Sequence, residues 1–114
     1  MSKLSKATDF SKRERERIKA RDQYCIFCKM GYHMNECRDS YLFRMQEIMH
    51  YIPRSHQGLG IAQNAALGCK FHHEMLDNGN KGRREEMLNL FREYLQRHYK
   101  DWNEEDLKYR KYNF

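Results

Sequence analysis

Two short-spaced pairs of metal-binding side chains, Cys25-x2-Cys28 and Cys69-x2-His72, stand far apart in the chain. A tetrahedral metal ion takes four sulfur or nitrogen ligands, commonly as two such pairs brought together by the fold. The pairs therefore predict that two distant segments meet. The chain has reason to need such a staple: it has 114 residues, 33% of them charged, and Leu, Ile, Val and Phe are sparse. A single domain of that size buries a modest core, and a bound metal adds folding free energy that the apolar residues do not supply.

The ion expected is zinc. The N-terminus MSKLSKATDFSKRERER has no apolar stretch of the signal-peptide kind, and no apolar run approaches the length that crosses a bilayer. The chain reads as soluble and cytoplasmic, with no membrane partner. In that compartment thiols stay reduced, and a CxxC pair is more often a metal clamp than a disulfide. A competing set, Cys25, Cys28, His33 and Cys37, has the spacing C-x2-C-x4-H-x3-C, one residue short of a zinc knuckle, and leaves Cys69 unused. The long-range set is favoured because it uses both pairs.

Charge is unevenly placed. Residues 1–21 hold eight Lys/Arg against Asp9, Glu14 and Glu16, whereas residues 22–114 hold fourteen against thirteen, so the excess is +5 and +1 respectively. A basic arm or helix of that kind suits contact with a phosphate backbone; a solvated helix with no ligand is the alternative.

Ser11 and Glu14 form a capping-box pair that predicts a helix to about Ala20, with Phe10 and Ile18 facing inward. Residues 24–40 read as a metal-knuckle loop without regular structure, and residues 41–49 as a strand or short helix. Pro53, Gly58 and Gly60 mark a loop. Ala65–Gly68 reads as a brief second strand and Lys70–Leu76 as a helix ended by Asn78-Gly79. Met87, Leu88, Leu90, Phe91, Tyr94 and Leu95 repeat at helical spacing and predict a core-facing helix over 83–99. A last short helix is expected near Asn103, where Glu104, Glu105 and Asp106 oppose the dipole.

Three stretches, RDQYCIFC at 21–28, EIMHYIPRS at 47–55 and NAALGCKFHH at 64–73, carry a resemblance over about residues 10–80. In order and spacing they resemble the HNH endonucleases with a zinc-stapled core. The resemblance implies an α+β fold with a small ββα-metal core over 22–80; the basic N-terminal arm or helix at 1–21 and a C-terminal helical extension at 81–114 are expected to flank it. It also implies hydrolysis of phosphodiester bonds in DNA with one divalent cation, Mg²⁺, Mn²⁺ or Ni²⁺, and suggests a small phage-type enzyme working in the host cytoplasm. Cys25, Cys28, Cys69 and His72 would hold the structural zinc.

Carried over by position, His50 would be the general base, a task that suits an imidazole titrating near neutral pH. Asn64 would hold the hairpin loop and His50 in place, His73 would bind the catalytic cation, and Arg54 would clamp a phosphate. If the helix phase is shifted, His72 and His73 exchange roles. His56 and His98 read as surface residues. Two positions depart from the family: Met49 precedes the base where Asp or His usually binds metal, and Asp77 stands where the helix commonly closes with His. A thioether does not hold Mg²⁺, so Asp77 or Glu47 would have to assist. The alternative to a nuclease is a zinc-stapled DNA-binding module that has lost catalysis. The C-terminal helices offer a surface for a homodimer or a partner protein.

Overall fold

The structure, a computed structural model, describes residues 3–38, 45–78 and 82–110. Its centre is a two-stranded antiparallel sheet, β1 (Gln46–His50) and β2 (Ala65–Cys69), in register from Gln46 opposite Cys69 to His50 opposite Ala65. Helices α1 (Lys3–Thr8), α2 (Lys12–Asp22), α3 (Ile26–Lys29) and α4 (Met34–Arg38) precede it; α5 (Lys70–Asn78) and α6 (Arg84–His98) follow. Short 3-10 turns occupy Arg54–His56, Ala62–Asn64 and Glu104–Leu107. The architecture is thus α+β, and the strand–strand–helix order β1, β2, α5 runs through the middle of the chain. Among the described residues no helix is long and apolar enough to cross a membrane.

Ser11 caps α2 by accepting the Glu14 N–H at 3.1 Å. Glu14 does not return to the cap; its carboxylate accepts the Ala62 N–H at 2.9 Å and pairs with Arg17. A distant backbone donor has taken the acid that a local capping box would have used. The stretch at 24–38, expected to be irregular, contains α3 and α4. Residues 41–44, in the segment expected to be strand or helix, and Gly79 lie outside the described residues.

A buried ion pair fastens α2 to the sheet. The Asp22 carboxylate, wholly buried, accepts from Arg21 at 2.6 and 2.9 Å, from Tyr94 Oη at 2.5 Å and from the Leu67 N–H at 2.8 Å. Arg21 uses its remaining donors on the carbonyls of Ala62 and Ala65 and on Tyr99 Oη. Every lone pair and N–H thus meets a partner, which is the condition for a buried pair to be tolerated.

The main core joins Ile26, Phe27, Met49, Met75, Leu76, Met87, Phe91 and Leu95. On α6, Met87, Phe91, Tyr94 and Leu95 are buried while Leu88 and Leu90 pack only partly. The apolar stripe of α6 is therefore spent within its own chain, and Arg84 caps α5 by donating to the Leu76 carbonyl at 2.7 Å. Beyond α6 the chain returns to the loop before β2: the Leu59 N–H donates to the Leu107 carbonyl and the Tyr109 N–H to the Gln57 carbonyl, each at 2.8 Å. Trp102 Nε1 donates to the Gln63 carbonyl at 2.7 Å.

Candidate metal centre and adjoining cleft

β2 delivers Cys69 at its last residue and α5 delivers His72 one turn later, while Cys25 stands at the N-cap of α3 and Cys28 within it. The ligand atoms of these four side chains lie within 4.8 Å of one another. Metal–sulfur bonds of ~2.3 Å and metal–nitrogen bonds of ~2.0–2.1 Å give a tetrahedron with edges of about 3.8 Å between sulfurs and about 3.5 Å between sulfur and nitrogen. Here His72 Nδ1 is 3.5 Å from Cys25 Sγ, 3.6 Å from Cys28 Sγ and 3.3 Å from Cys69 Sγ, and Cys28 and Cys69 are 3.8 Å apart. The four fit a metal ion such as zinc.

The outer hydrogen bond of His72 selects the tautomer this requires. Nε2 lies 2.7 Å from the Tyr32 carbonyl, which can only accept. Nε2 therefore carries the hydrogen and Nδ1 turns its lone pair toward the three sulfurs. Tyr32 gave no signal in the sequence, because its contribution comes from the main chain.

Without a metal, these thiols cannot all ionise together. The Cys69 pKa is pulled down to about 3 by the Cys25 thiol that donates to it, against the effect of burial and with help from the backbone N–H of His72. The Cys25 thiol is pushed far up by that same hydrogen bond and by burial, and burial raises Cys28 as well. A metal ion reverses the balance and takes the thiolate from each.

A fifth donor stands at the edge. Cys37 Sγ, on α4, is 3.9 Å from Cys28 and 3.7 Å from Cys69, spacings that also match a tetrahedral edge. His33, the other member of the competing set, does not join it: its ring packs against Tyr32, and its Nδ1 faces Glu36 at 3.7 Å. The structure gathers Cys37 but not His33.

Along β1 lies a cleft of about 530 Å³, lined by Phe10, Arg15, Lys19, Gln23 and Arg54 together with Gln46, Glu47, Ile48 and His50 of β1 and Leu67 of β2. His50 Nε2 is 3.2 Å from the Thr8 carbonyl, so Nε2 donates and Nδ1 is left with its lone pair. Phe10 covers the ring, with centroids 4.5 Å apart. Burial pushes the His50 pKa below its ordinary value, ahead of the opposing Thr8 hydrogen bond. Thr8 acts through a carbonyl, which has no residue signature, and Phe10 reads in the sequence only as an inward position.

Asn64, fully buried, ties down the loop that follows β1. Its Oδ1 accepts the Ile52 N–H at 2.8 Å, its Nδ2 donates to the Ile52 and Leu59 carbonyls, and its own carbonyl accepts the Tyr51 N–H. Gly58 closes the same turn: a Cβ there would collide with the Ile52 carbonyl and reach the Asn64 amide at 3.0 Å. Arg54 is half-exposed and paired with Asp9 at 2.5 Å.

The adjacent histidines of α5 point apart. His72 enters the thiol cluster, and His73 faces Glu47 at 3.1 Å through Nδ1 and Asp77 at 3.3 Å through Nε2. The two carboxylates are donors of the hardness that Mg²⁺ or Mn²⁺ prefers, while the imidazole is a softer, borderline ligand. The three do not converge on one point as they stand, since the imidazole lies between the carboxylates. Met49 is wholly buried, its side chain lying over Gly68, where a Cβ would strike the thioether. It fills the core between β1 and the helices and takes no place at the cleft.

Compared with known protein families, curated proteins and solved structures, the chain matches none.

Proposed function

We propose that the protein is a metal-dependent endonuclease of the HNH kind that hydrolyses phosphodiester bonds in DNA, with structural zinc held by Cys25, Cys28, Cys69 and His72. The observation that carries this reading is the state of His50: one nitrogen is committed to the Thr8 carbonyl and the other is free in a basic cleft.

A lowered pKa keeps the imidazole neutral near pH 7, the form that can take a proton from an attacking water. Nδ1 accepts that proton, and the resulting imidazolium is steadied through Nε2–H by Thr8. Asn64 and Gly58 hold the loop against β1, so the base keeps its position. Arg54, swung from Asp9, would pair with a phosphate oxygen in the bidentate manner of a guanidinium. A divalent cation held by His73 with Glu47 or Asp77 would supply charge neutralisation at the phosphate and the leaving oxygen.

Plasmid nicking in Mg²⁺, Mn²⁺ or Ni²⁺ tests this, with wild type compared against His50→Ala. Cutting that depends on His50 is the expected result. If neither protein cuts in any metal while both bind DNA in a salt-sensitive way, the enzyme reading fails. The second reading, a zinc-stapled DNA-binding module, then takes its place; what favours it is Met49, buried in the core where the family usually has a ligand.

A further inference from the structure

One wall of the cleft is α2, and the residues it turns inward are Arg15, Lys19 and Gln23. Arg15 and Lys19 stand at i and i+4 on the helix, one step of about 6 Å apart, and Gln23 follows as its C-cap, in a positive-φ conformation. The row contains donors and no acid. Glu14 is held by Ala62 and Arg17. Arg15 and Lys19 are exposed and, among the described residues, neither makes an ion pair; Arg15 only steadies its side chain by donating from Nε to the Phe10 carbonyl at 3.2 Å. Two unneutralised cations thus line a cavity that also holds His50 and Arg54, and the buried Arg21–Asp22 pair locks their helix to the sheet.

We infer that the Arg15–Lys19–Gln23 row is a phosphate track, binding successive backbone phosphates of one DNA strand and laying it along β1 toward His50. The position of the cut on that strand rests on the endonuclease reading; the track itself is a binding claim. Side chains that neutralise phosphates release condensed counterions, so each contributes about 0.9 to the slope of log affinity against log salt. Contacts of this kind also give no base discrimination.

The test uses the full chain, zinc-loaded, and a fluorescein-labelled DNA duplex of arbitrary sequence, with anisotropy read at several salt concentrations without added divalent cation. Arg15→Gln/Lys19→Gln is compared with Arg97→Gln/Lys100→Gln, which removes equal charge from the last turn of α6 and the segment just after it. The cleft pair is expected to weaken binding at least about tenfold near 0.1 M salt and to lower the slope by about 1.8, with the α6 pair close to wild type. Equal losses in both variants, no loss in either, or no DNA binding by wild type overturns the inference. Nicking assays on the same proteins separate the two claims. A wild type that binds through the row but never cuts sinks the endonuclease and leaves the track. One that cuts, and whose binding is unchanged with Arg15 and Lys19 replaced, sinks the track and leaves the endonuclease.

Discussion

The thiol cluster sits at one end of a five-residue ladder, where Cys69 stands beside Gln46, and the cleft runs along β1 from that same Gln46 to His50 beside Ala65. The first is soft, buried and closed: its donors already stand at tetrahedral spacing, and the Tyr32 carbonyl fixes the tautomer of His72. The second is hard, open and unfinished, for His73 lies between two carboxylates and Arg54 rests on Asp9. A structural centre must be complete in the folded chain because the fold depends on it. A reactive site has to leave positions for what it acts on. The same short sheet carries both, with Cys69 of β2 in the cluster and β1 lining the cleft.

The largest effect should come from breaking the closed centre. Structural zinc contributes about 10–16 kcal/mol in small domains, comparable to the whole stability of an ordinary one. Cys69→Ser should therefore abolish the cooperative thermal transition and release the metal, as read by circular dichroism and a chromogenic chelator. A folded, zinc-loaded Cys69→Ser protein would show that the cluster is not the staple.

Next is the attempt to finish the open site from sequence logic alone. Met49→Asp restores the residue type that the resemblance calls for, but places a carboxylate in the core over Gly68. It should cost about 3–5 kcal/mol by denaturant unfolding, with no gain in nicking. Increased cutting with unchanged stability would mean that β1 can turn position 49 outward.

His50→Ala should lower the nicking rate about 10²–10⁴-fold and leave zinc content intact, since the base lies outside the cluster. The acid limb of the wild-type rate profile follows from its shifted pKa. Folding depresses the pKa, so the neutral base persists to lower pH than in a free imidazole, and the rate should fall only below about pH 6.5. The same sign applies to stability: the contribution of a neutral buried His50 is full above that pH and is lost as pH falls through the depressed value. An acid limb centred above pH 7 would remove His50 from the role of base.

The smallest effect is expected at the boundary of the cluster. Cys37→Ser leaves four ligands in place and should shift the unfolding midpoint by less than about 1 kcal/mol, with zinc stoichiometry unchanged. Loss of zinc in this variant, with retention in His72→Ala, would exchange the fourth ligand and make the centre all-sulfur.

What could be read from the sequence follows the reach of its signals. Ser11 capping Glu14, the period of α6 and the spacing of both ligand pairs are local patterns, and local patterns survive folding. The direction of Met49 is not local: it depends on Gly68 of the facing strand leaving room for a thioether. Thr8 and Tyr32 act through carbonyls, which every residue possesses. Cys37 is brought to the cluster by α4, in a stretch whose composition reads as loop. The capping-box acid was visible, but its partner at Ala62 lies across the fold.

The pairing of Leu59 with Leu107 and of Gln57 with Tyr109 bears on the order in which the protein is made. A nascent chain that has emerged as far as α6 already contains the cluster's ligands, yet the loop carrying Arg54 still lacks the backbone partners that close it. Leu107 and Tyr109 can pair with that loop only after they have emerged, later than every ligand of the cluster.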